Sequence, residues 1–434
     1  MKKLFALLLA LVMVLTLVAC SNNTPSTPST ETSAEPTVAD KITAAKANPV
    51  KTAKVKEAAD AGKLKIGVIL VGDENEGYTF AHIDGVEQMK KALNISDDQV
   101  IYKYNIPENE TCYDTACDLV EQGCQMIFSN SFSHESYMVQ AAAKYPDVVF
   151  LPATGNQAAV CGLPNVVNYF TSVYESRYVS GIVAGMKIAE LVADGKLNAS
   201  NYDADGNVKV GYVGAYPYAE VVSGYTAFFL GVRSVYEKVS MEVTFTNSWF
   251  SLTAEAEAAN SLISRGCVII GQHADSTGAP SAVQAAHDAG TVVYSVGYNI
   301  DMLGVAPDVA LTSAQNCWGE LYTAIVRKAI NGEDVAKDNT VSYKENGVKI
   351  SPLGSACAAG TAEAVDAAIA KLKNGELHVF DINTFTVGGQ KVESFNTCWG
   401  FEGIETIWDG YFHESEIIAA PLFELAIDGI TKLN

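Results

Sequence analysis

The sequence lacks the short motifs that identify several large classes of enzyme. Its 434 residues contain no Walker loop, GxGxxG turn, GxSxG elbow or HExxH pair, which are the usual signatures of ATPases, dinucleotide-binding enzymes, hydrolases and zinc proteases. A hydrolytic pair of His273 with Asp275 stays an alternative, although no nucleophile accompanies it. We therefore expect a protein that is not an enzyme and has no cofactor, no metal site and no catalytic residue.

Basic side chains are also scarce. The chain has 29 Lys and Arg against 50 Asp and Glu, which gives a formal net charge of −21. We expect no nucleic-acid partner, because binding would need basic side chains to displace counterions from phosphates. The remaining composition, 48% hydrophobic and 18% charged, is typical of a globular protein, and the length predicts two or three domains.

A long apolar run occurs at the N-terminus. It covers residues 4–17 after Lys2 and Lys3, which is short for a membrane span and typical of a secretory leader. The run ends in Leu-Val-Ala-Cys-Ser, and these small residues before Cys20 resemble a bacterial lipobox. We expect a lipoprotein signal peptide at residues 1–19 and a lipid-modified Cys20 that anchors the protein to the cell membrane on its extracytoplasmic face. The alternative is an ordinary signal peptide in which the cysteine is incidental.

Large apolar side chains are few in the segment that follows. Residues 20–61 are rich in Ser, Thr, Pro, Ala and Lys, so they bury too little surface to offset the entropy of ordering. The composition predicts a disordered tether between the anchor and the folded body. Residues 41–61 could instead form a helix rich in alanine and lysine.

No CxxC pair occurs among the cysteines. Because several of them lie in apolar strand contexts, we expect buried thiols, with one or two disulfides as the alternative and a metal site as the least favoured one. The cysteines after Cys20 are Cys112, Cys117, Cys124, Cys161, Cys267, Cys317, Cys357 and Cys398.

The body of the chain contains an internal repeat. From residue 63 onward, short β-branched runs alternate with helical periods, which predicts βαβ units and a parallel sheet. The strand signature at 65–68 recurs at 209–212, and the one at 122–127 recurs at 265–270. We therefore expect an α/β protein with two doubly wound lobes and a cleft at the carboxyl ends of the strands.

The loops that follow the predicted strands are rich in aromatic, amide and carboxylate side chains. They contain no lysine or arginine, which a phosphate or carboxylate ligand would require. The sequence therefore predicts a flat, neutral ligand that forms hydrogen bonds. These loops follow the first, third and fourth strands of each repeat, at residues 71–82, 129–132, 154–156, 214–218, 272–276 and 297–301.

Several segments of the body carry a family resemblance. Residues 77–82, 174–181, 247–250, 272–276 and 297–302 together resemble the basic membrane protein (BMP) family of substrate-binding lipoproteins. The resemblance extends from about Lys63 to Phe380. It implies a type I periplasmic-binding-protein fold, uptake of a purine nucleobase or nucleoside, and ABC permease and ATPase subunits as partners.

The resemblance also implies a ligand site. The family's purine receptors hold the base between two aromatic rings, and Tyr78 and Trp249 stand at the matching positions, with Phe80 as the substitute if the register is shifted. Asp73 is the best match to an aspartate that accepts hydrogen bonds from the base. The family also uses polar groups at the end of the third strand, and Asn130 and Ser131 stand at those positions in this sequence.

One stretch departs from the family pattern. Nucleoside receptors of the family grip ribose with an Asp and a Lys, but residues 312–318 lack the lysine and Asn299 stands at the Asp position. We therefore favour a free purine base, with a nucleoside as the second choice. The aromatic and carboxylate side chains expected at this end of the cleft are Tyr298, Trp318, Asp275 and Asp301.

The repeat predicts the domain boundaries and the mechanism. Ligand contacts to both lobes would shift an equilibrium between open and closed forms. The alternatives are a ligand-sensing regulatory lipoprotein without transport and a nucleoside-processing enzyme, and we expect a monomer. The first lobe is predicted at 62–172 with 300–340 and the second at 173–299 with 341–434, joined by chain crossings near 171–174, 298–303 and 340–343.

Overall fold

The computed structural model describes residues 36–396 and 403–434. The predicted signal peptide, Cys20 with its lipid, and Cys398 lie outside the described residues. Within the described ranges, no helix is both long enough and apolar enough to cross a membrane.

The α-helices alternate with strands over most of the chain. In chain order they are α1 (Val38–Ala47), α2 (Ala53–Asp60), α3 (Gly77–Leu93), α4 (Glu110–Glu121), α5 (Glu135–Lys144), α6 (Val173–Ala193), α7 (Ala219–Val235), α8 (Leu252–Ser264), α9 (Gly278–Asp288), α10 (Trp318–Asn331) and α11 (Thr361–Asn374).

The strands are short and mostly buried on both faces, as expected for parallel sheets covered by helices. In chain order they are β1 (Ile66–Ile69), β2 (Val100–Lys103), β3 (Met126–Ser129), β4 (Val149–Pro152), β5 (Asn168–Thr171), β6 (Val208–Gly214), β7 (Val239–Phe245), β8 (Ile269–Gln272), β9 (Tyr294–Tyr298), β10 (Ala310–Asn316), β11 (Asp338–Val341), β12 (Val348–Ile350), β13 (Ile407–Trp408), β14 (Tyr411–Phe412) and β15 (Ile430–Lys432).

The two predicted lobes have the same topology. The first sheet has the order β2-β1-β3-β4, and the second contains the matching order β7-β6-β8-β9, with every one of these pairs parallel. Each strand of these two series leads through a helix to the next. The doubly wound α/β architecture is therefore confirmed, and the carboxyl ends of both sheets are where a ligand site is expected.

Part of the predicted tether belongs to the folded body. Helices α1 and α2 bury Ile42 and Val55, and the backbones of Val50 and Val335 pair in an antiparallel bridge. The prediction of a disordered segment over 20–61 is therefore wrong for residues 38–60. A few apolar side chains are enough to order these two short helices, because they pack against the hydrophobic core formed by the rest of the body.

The structure also corrects one lobe boundary. Strand β10 pairs with β9 and β12 in the second sheet, so residues 310–316 do not belong to the first lobe as predicted for 300–340. Helix α10 then packs on α3, and β11 pairs with β5. The second chain crossing therefore lies at 316–318 instead of 298–303, whereas the crossings near 171–174 and 340–343 agree with the prediction.

The C-terminal segment packs on the second lobe, as the sequence predicts. Strand β15 extends the sheet by pairing in parallel with β7. The Phe380 ring stacks on Phe423 at 4.2 Å and on Tyr174 of α6 at 5.4 Å. Trp399, which the sequence places in this tail, lies outside the described residues.

The described cysteines are all free thiols. Cys112, Cys117, Cys124 and Cys267 are buried, and burial raises the pKa of the Cys267 thiol to about 12. A thiol with such a pKa stays protonated and behaves as a small apolar side chain. No disulfide joins the cysteines of the described ranges; the prediction of buried thiols agrees with the structure for four of them, whereas Cys161, Cys317 and Cys357 are half-buried.

Candidate functional site

A small cavity lies where the carboxyl ends of the two sheets face each other. Its volume is about 20 Å³, which is room for roughly one water molecule. A ligand larger than a water molecule therefore does not fit this space as it stands. The cavity is lined by Val71, Glu76, Tyr78, Asn130, Ser131, Phe132, Thr154, Glu220, Trp249, His273, Asp275 and Tyr298.

The lobes touch directly beside this cavity. Helix α3 begins at Gly77, whose backbone N–H donates to the Asp275 carbonyl oxygen at 3.4 Å. A Cβ atom at this glycine would lie 3.2 Å from the same oxygen, which is closer than a side chain normally comes. The start of α3 is thus one place where the first lobe lies in direct contact with the second beside the site.

Tyr78 is held in place by hydrogen bonding and by rings. Its hydroxyl donates to the Asn130 carbonyl oxygen at 2.8 Å, and the Asn130 side chain accepts from Val71 N–H at 2.9 Å. Trp318 stacks on His82 at 3.9 Å between ring centroids, and its ring meets Tyr78 edge-on at 5.9 Å. Trp318 is therefore a buried support behind Tyr78.

The second lobe contributes an aromatic cluster on the opposite side. Trp249 follows β7 and meets the Tyr216 ring edge-on, with 5.0 Å between centroids. The Trp249 carbonyl oxygen accepts from Asp275 N–H at 2.8 Å, which joins the two loops of the site. Trp249 is half-buried, so part of the indole is available to a ligand.

Three carboxyl groups line the cavity, one from the first lobe and two from the second. Burial is the main cause of their raised pKa values: the pKa of Glu220 is raised to about 7, that of Glu76 is raised, and that of Asp275 lies well above its ordinary range. The charges of Glu76, Glu255 and Glu220 raise the pKa of Asp275 further.

One buried cation stands behind these carboxyl groups. Arg177 of α6 donates to the Tyr212 hydroxyl at 2.5 Å and to the Gln272 carbonyl oxygen at 3.0 Å. Its guanidinium lies 3.8 Å from the centroid of the Tyr298 ring, within cation–π distance. Its charge lowers the pKa of both Glu220 and Asp275, against the larger effect of burial. The loops at the strand ends contain no lysine or arginine, whereas helix α6, which lies behind them, supplies Arg177.

Six of the predicted ligand-binding residues lie around the cavity. They come from both lobes and from loops that are far apart in the sequence, so the fold brings them together at the predicted edge of the sheets. These residues are Tyr78, Asn130, Ser131, Trp249, Asp275 and Tyr298.

The other four do not line it. Asp73 accepts from Asn75 N–H at 3.0 Å and lies in a turn, while Asp301 caps a short helix by accepting from Leu303 N–H at 2.9 Å. Phe80 points to the surface with 47% of its area exposed. Trp318 reaches the site only through Tyr78 and His82.

Sequence reasoning missed several lining residues. Glu76 lies three positions beyond Asp73, and only the start of α3 decides which of these acids faces the cavity. Glu220 belongs to the first turn of α7, beyond the loop that the strand rule singles out. A signal did exist, because the strand rule includes the first turn of the following helix. Phe132 and Thr154 lay within the predicted loops without being singled out.

The site combines aromatic rings from both lobes with carboxyl acceptors around a small cavity that is partly open to solvent. Within the described residues, no group of three His, Cys, Asp or Glu side chains is close enough to hold a metal ion. A ligand enclosed between the rings contacts both lobes at once, which is how hinged binding proteins couple capture to closure.

Fold and site together define a two-lobed α/β solute-binding protein. Residues 63–383 match the family model described as ABC transporter substrate-binding protein PnrA-like, whose short name is Bmp. The chain belongs to this family of ABC transporter substrate-binding proteins, which confirms the resemblance found in the sequence. Proteins of this kind bind small-molecule ligands outside the cytoplasm and work with permease and ATPase subunits.

Two relatives are similar to this chain in sequence, and one solved structure is similar to it in fold. A purine-binding protein of Brucella abortus is 31% identical over 319 residues, 73% of this chain and 83% of the relative. A putative ABC transporter glucose-binding protein of Haloferax volcanii is 33% identical over 247 residues, 57% of this chain and 56% of the relative. An ABC transporter solute-binding protein of Aeropyrum pernix has a similar fold, with a TM-score of 0.61, 14% identity, and coverage of 73% of this chain and 93% of its own.

Proposed function

We propose that this protein captures a purine in the cleft between its lobes and delivers it to an ABC importer. The observation that carries the proposal is the cavity itself, with the Tyr78 ring on one lobe and the Trp249 ring on the other. A planar base between two rings gains about 0.5–1.5 kcal/mol per aromatic pair beyond the burial of its surface. The relationship to a purine-binding protein over most of the chain supports the same ligand class.

We favour a free base over a nucleoside, and capture without turnover. The residues that would grip ribose in the family are absent from 312–318, and no nucleophile adjoins His273 in the sequence. To change the ratio of closed to open protein from 1:99 to 99:1, the ligand must bind the closed form about 5.5 kcal/mol more favourably than the open form. Two ring contacts and a few hydrogen bonds to buried carboxyl groups are of that order.

We further propose that the protein is a monomer tethered to the outer face of the membrane through a lipid on Cys20. Small residues before this cysteine and a polar segment after it motivate the proposal. Metabolic labelling with a fatty-acid analogue should mark the wild type and not Cys20→Ser. Labelling of both proteins equally, or of neither, would contradict the anchor.

The ligand is tested by calorimetry on refolded protein with purine bases, nucleosides and glucose. Trp249→Ala should weaken purine binding at least about tenfold, because it removes one ring of the stack. Trp408→Ala is the matched control, since Trp408 is 40% exposed on the C-terminal segment and should leave affinity unchanged. If no purine binds, or if Trp249→Ala binds as tightly as the wild type, the proposal fails.

Glucose is the second candidate ligand. The relative from Haloferax volcanii carries that assignment in its name, and carboxyl groups beside aromatic rings also suit sugar hydroxyls. Binding of glucose in the same titrations, without binding of any purine, would favour this candidate. Chromatography after incubation with inosine or adenosine should show unchanged nucleoside, whereas release of free base would indicate an enzyme.

A further inference from the structure

The hydrogen-bond donors of the cavity wall are largely engaged within the protein. The Tyr78 hydroxyl donates to Asn130, the Thr154 hydroxyl donates to the Ala153 carbonyl oxygen at 2.6 Å, and the Ser131 hydroxyl donates to Glu108. The Asn130 amide donates to Thr79 at 3.2 Å. These lining groups therefore offer few hydrogens to a ligand.

The carboxyl groups of the wall are in the opposite situation. In the described part of the chain, Glu220 contacts only His273, at 3.3 Å through one of its two oxygens. Asp275 accepts from Asn299 at 2.7 Å through Oδ1, and Glu76 accepts from Thr79 through Oε2. Among the described residues, each carboxyl thus has one oxygen for which no hydrogen-bond partner is found, and in the ionised form that oxygen can accept a hydrogen from a ligand.

The wall also provides donors for ring nitrogens, namely the indole N–H of half-buried Trp249 and the Tyr298 hydroxyl. The Tyr298 hydroxyl accepts from the Asn316 amide at 3.3 Å, which leaves its own hydrogen free. The residues that line the cavity therefore offer a ligand more free hydrogen-bond acceptors than free donors. A ligand group that is itself an acceptor would face carboxyl oxygens, whereas an amino group would satisfy them.

We propose that Glu76, Glu220 and Asp275 select the purines adenine and guanine, which carry an exocyclic amino group, over hypoxanthine and xanthine, in which an oxo group replaces that amino group. The inference rests on the proposed purine function and assigns the specificity of the same site. The oxo group puts an acceptor against an ionised carboxyl that the amino group would satisfy; the exchange also adds an N–H to the adjacent ring nitrogen, but that hydrogen lies at a different position of the ring from the lost amino group. Sites built in this way reject the analogue that lacks the donor far better than an apolar pocket does.

The test uses matched ligands that exchange one amino group for one oxo group. Adenine against hypoxanthine makes the exchange at one position of the ring, and guanine against xanthine makes it at the other. Their nucleosides repeat both comparisons if a ribose is required. In calorimetric titrations of the wild type, the amino member of at least one pair should bind at least about tenfold more tightly than its oxo partner.

Three single variants then identify which carboxyl accepts the hydrogen bond from the amino group of the ligand. Glu76→Gln, Glu220→Gln and Asp275→Asn keep the size of each side chain and replace one acceptor oxygen with an amide donor. The variant at the contact should lower the ratio of amino to oxo affinity toward one, partly by improving oxo binding. Glu363→Gln, an exposed site in the first turn of α11, is the control and should keep the wild-type ratio.

The outcomes separate the two proposals. If none of the bases or nucleosides binds, the purine function fails and the specificity argument fails with it. If purines bind but each oxo member binds as well as its amino partner, the specificity argument alone is overturned. Because this comparison uses only the wild type, it holds even if a variant does not fold. Selectivity that none of the three variants alters would also overturn the assignment to these carboxyls.

Discussion

Burial of Glu414 should make part of the protein's stability depend on pH in an unusual direction. Glu414 belongs to the C-terminal segment, and its Oε2 accepts from the N–H groups of Leu422 and Phe423 at 2.9 and 3.0 Å. Among the described residues its Oε1 is buried without a hydrogen-bond partner. Burial is the main cause that raises the pKa of this carboxyl to about 7 from its ordinary value of 4.5.

The sign follows from proton binding in the two states. Between about pH 4.5 and 7 the folded protein holds a proton on Glu414 that the unfolded chain releases, so stability from this group is lost as pH rises through that window. The difference between the two pKa values corresponds to about 3 kcal/mol, as an order of magnitude. His82 and His273, whose pKa values burial lowers, act in the opposite direction below about pH 6.5.

Because those histidines oppose the effect, the informative quantity is the difference between Glu414→Gln and the wild type. Glutamine keeps the acceptor for the two N–H groups and cannot ionise. Its stability relative to the wild type should therefore increase by about 2–3 kcal/mol between about pH 5 and 8. Urea unfolding at both pH values measures this difference. A constant difference would refute the reasoning, and exposed Glu363→Gln should show no pH-dependent change.

Three further substitutions test the packing. Val55→Ala should destabilise the protein by about 2 kcal/mol if α2 is part of the core, and unchanged urea unfolding would restore the tether prediction. Gly231→Ala should cost about 2–3 kcal/mol, because its Cβ would collide with the Tyr178 carbonyl where α6 and α7 cross; Gly304→Ala, with open space around the Cβ, should be tolerated. Trp318→Ala should lower the melting temperature, at a cost of about 3–5 kcal/mol, since the side chain is 1% exposed, and an unchanged temperature would contradict its supporting role.

The repeated architecture was predictable because it depends on local pattern. Strand signatures such as 65–68 and 209–212 stand out through alternation with helices, and they correspond to β1 and β6. Strand β10 was assigned to the wrong lobe because its own residues do not specify a partner. Its position follows from pairing with β9 and β12. Such pairing between segments distant in the sequence cannot be predicted from the residues of one segment alone.

The site was predictable in part for a related reason. Tyr78 and Asp275 lie in segments that follow strands, so the rule for parallel sheets indicates them, whereas Trp249 was indicated by the family resemblance. Asp73 and Glu76 both precede α3, and only Glu76 is adjacent to the first residue of the helix; the N-terminal position of a helix is among the least certain features of a sequence. Arg177 was missed for another reason, because it reaches the site from the interior of α6 and no loop composition reveals it.

The contacts of the C-terminal segment bear on how the lobes move. Asp338 of β11, on the first-lobe side of a crossing, accepts from Ala419 N–H at 3.2 Å, and Tyr174, on the second-lobe side of another, stacks on Phe380. Tyr343 N–H donates to Glu175 at 2.8 Å between these crossings. If the lobes turn about these crossings to open the cleft, the rotation must preserve or exchange these contacts, because they join residues on both sides of the crossings. By its contacts, the segment beyond β12 therefore belongs to the region of the crossings as well as to the second lobe.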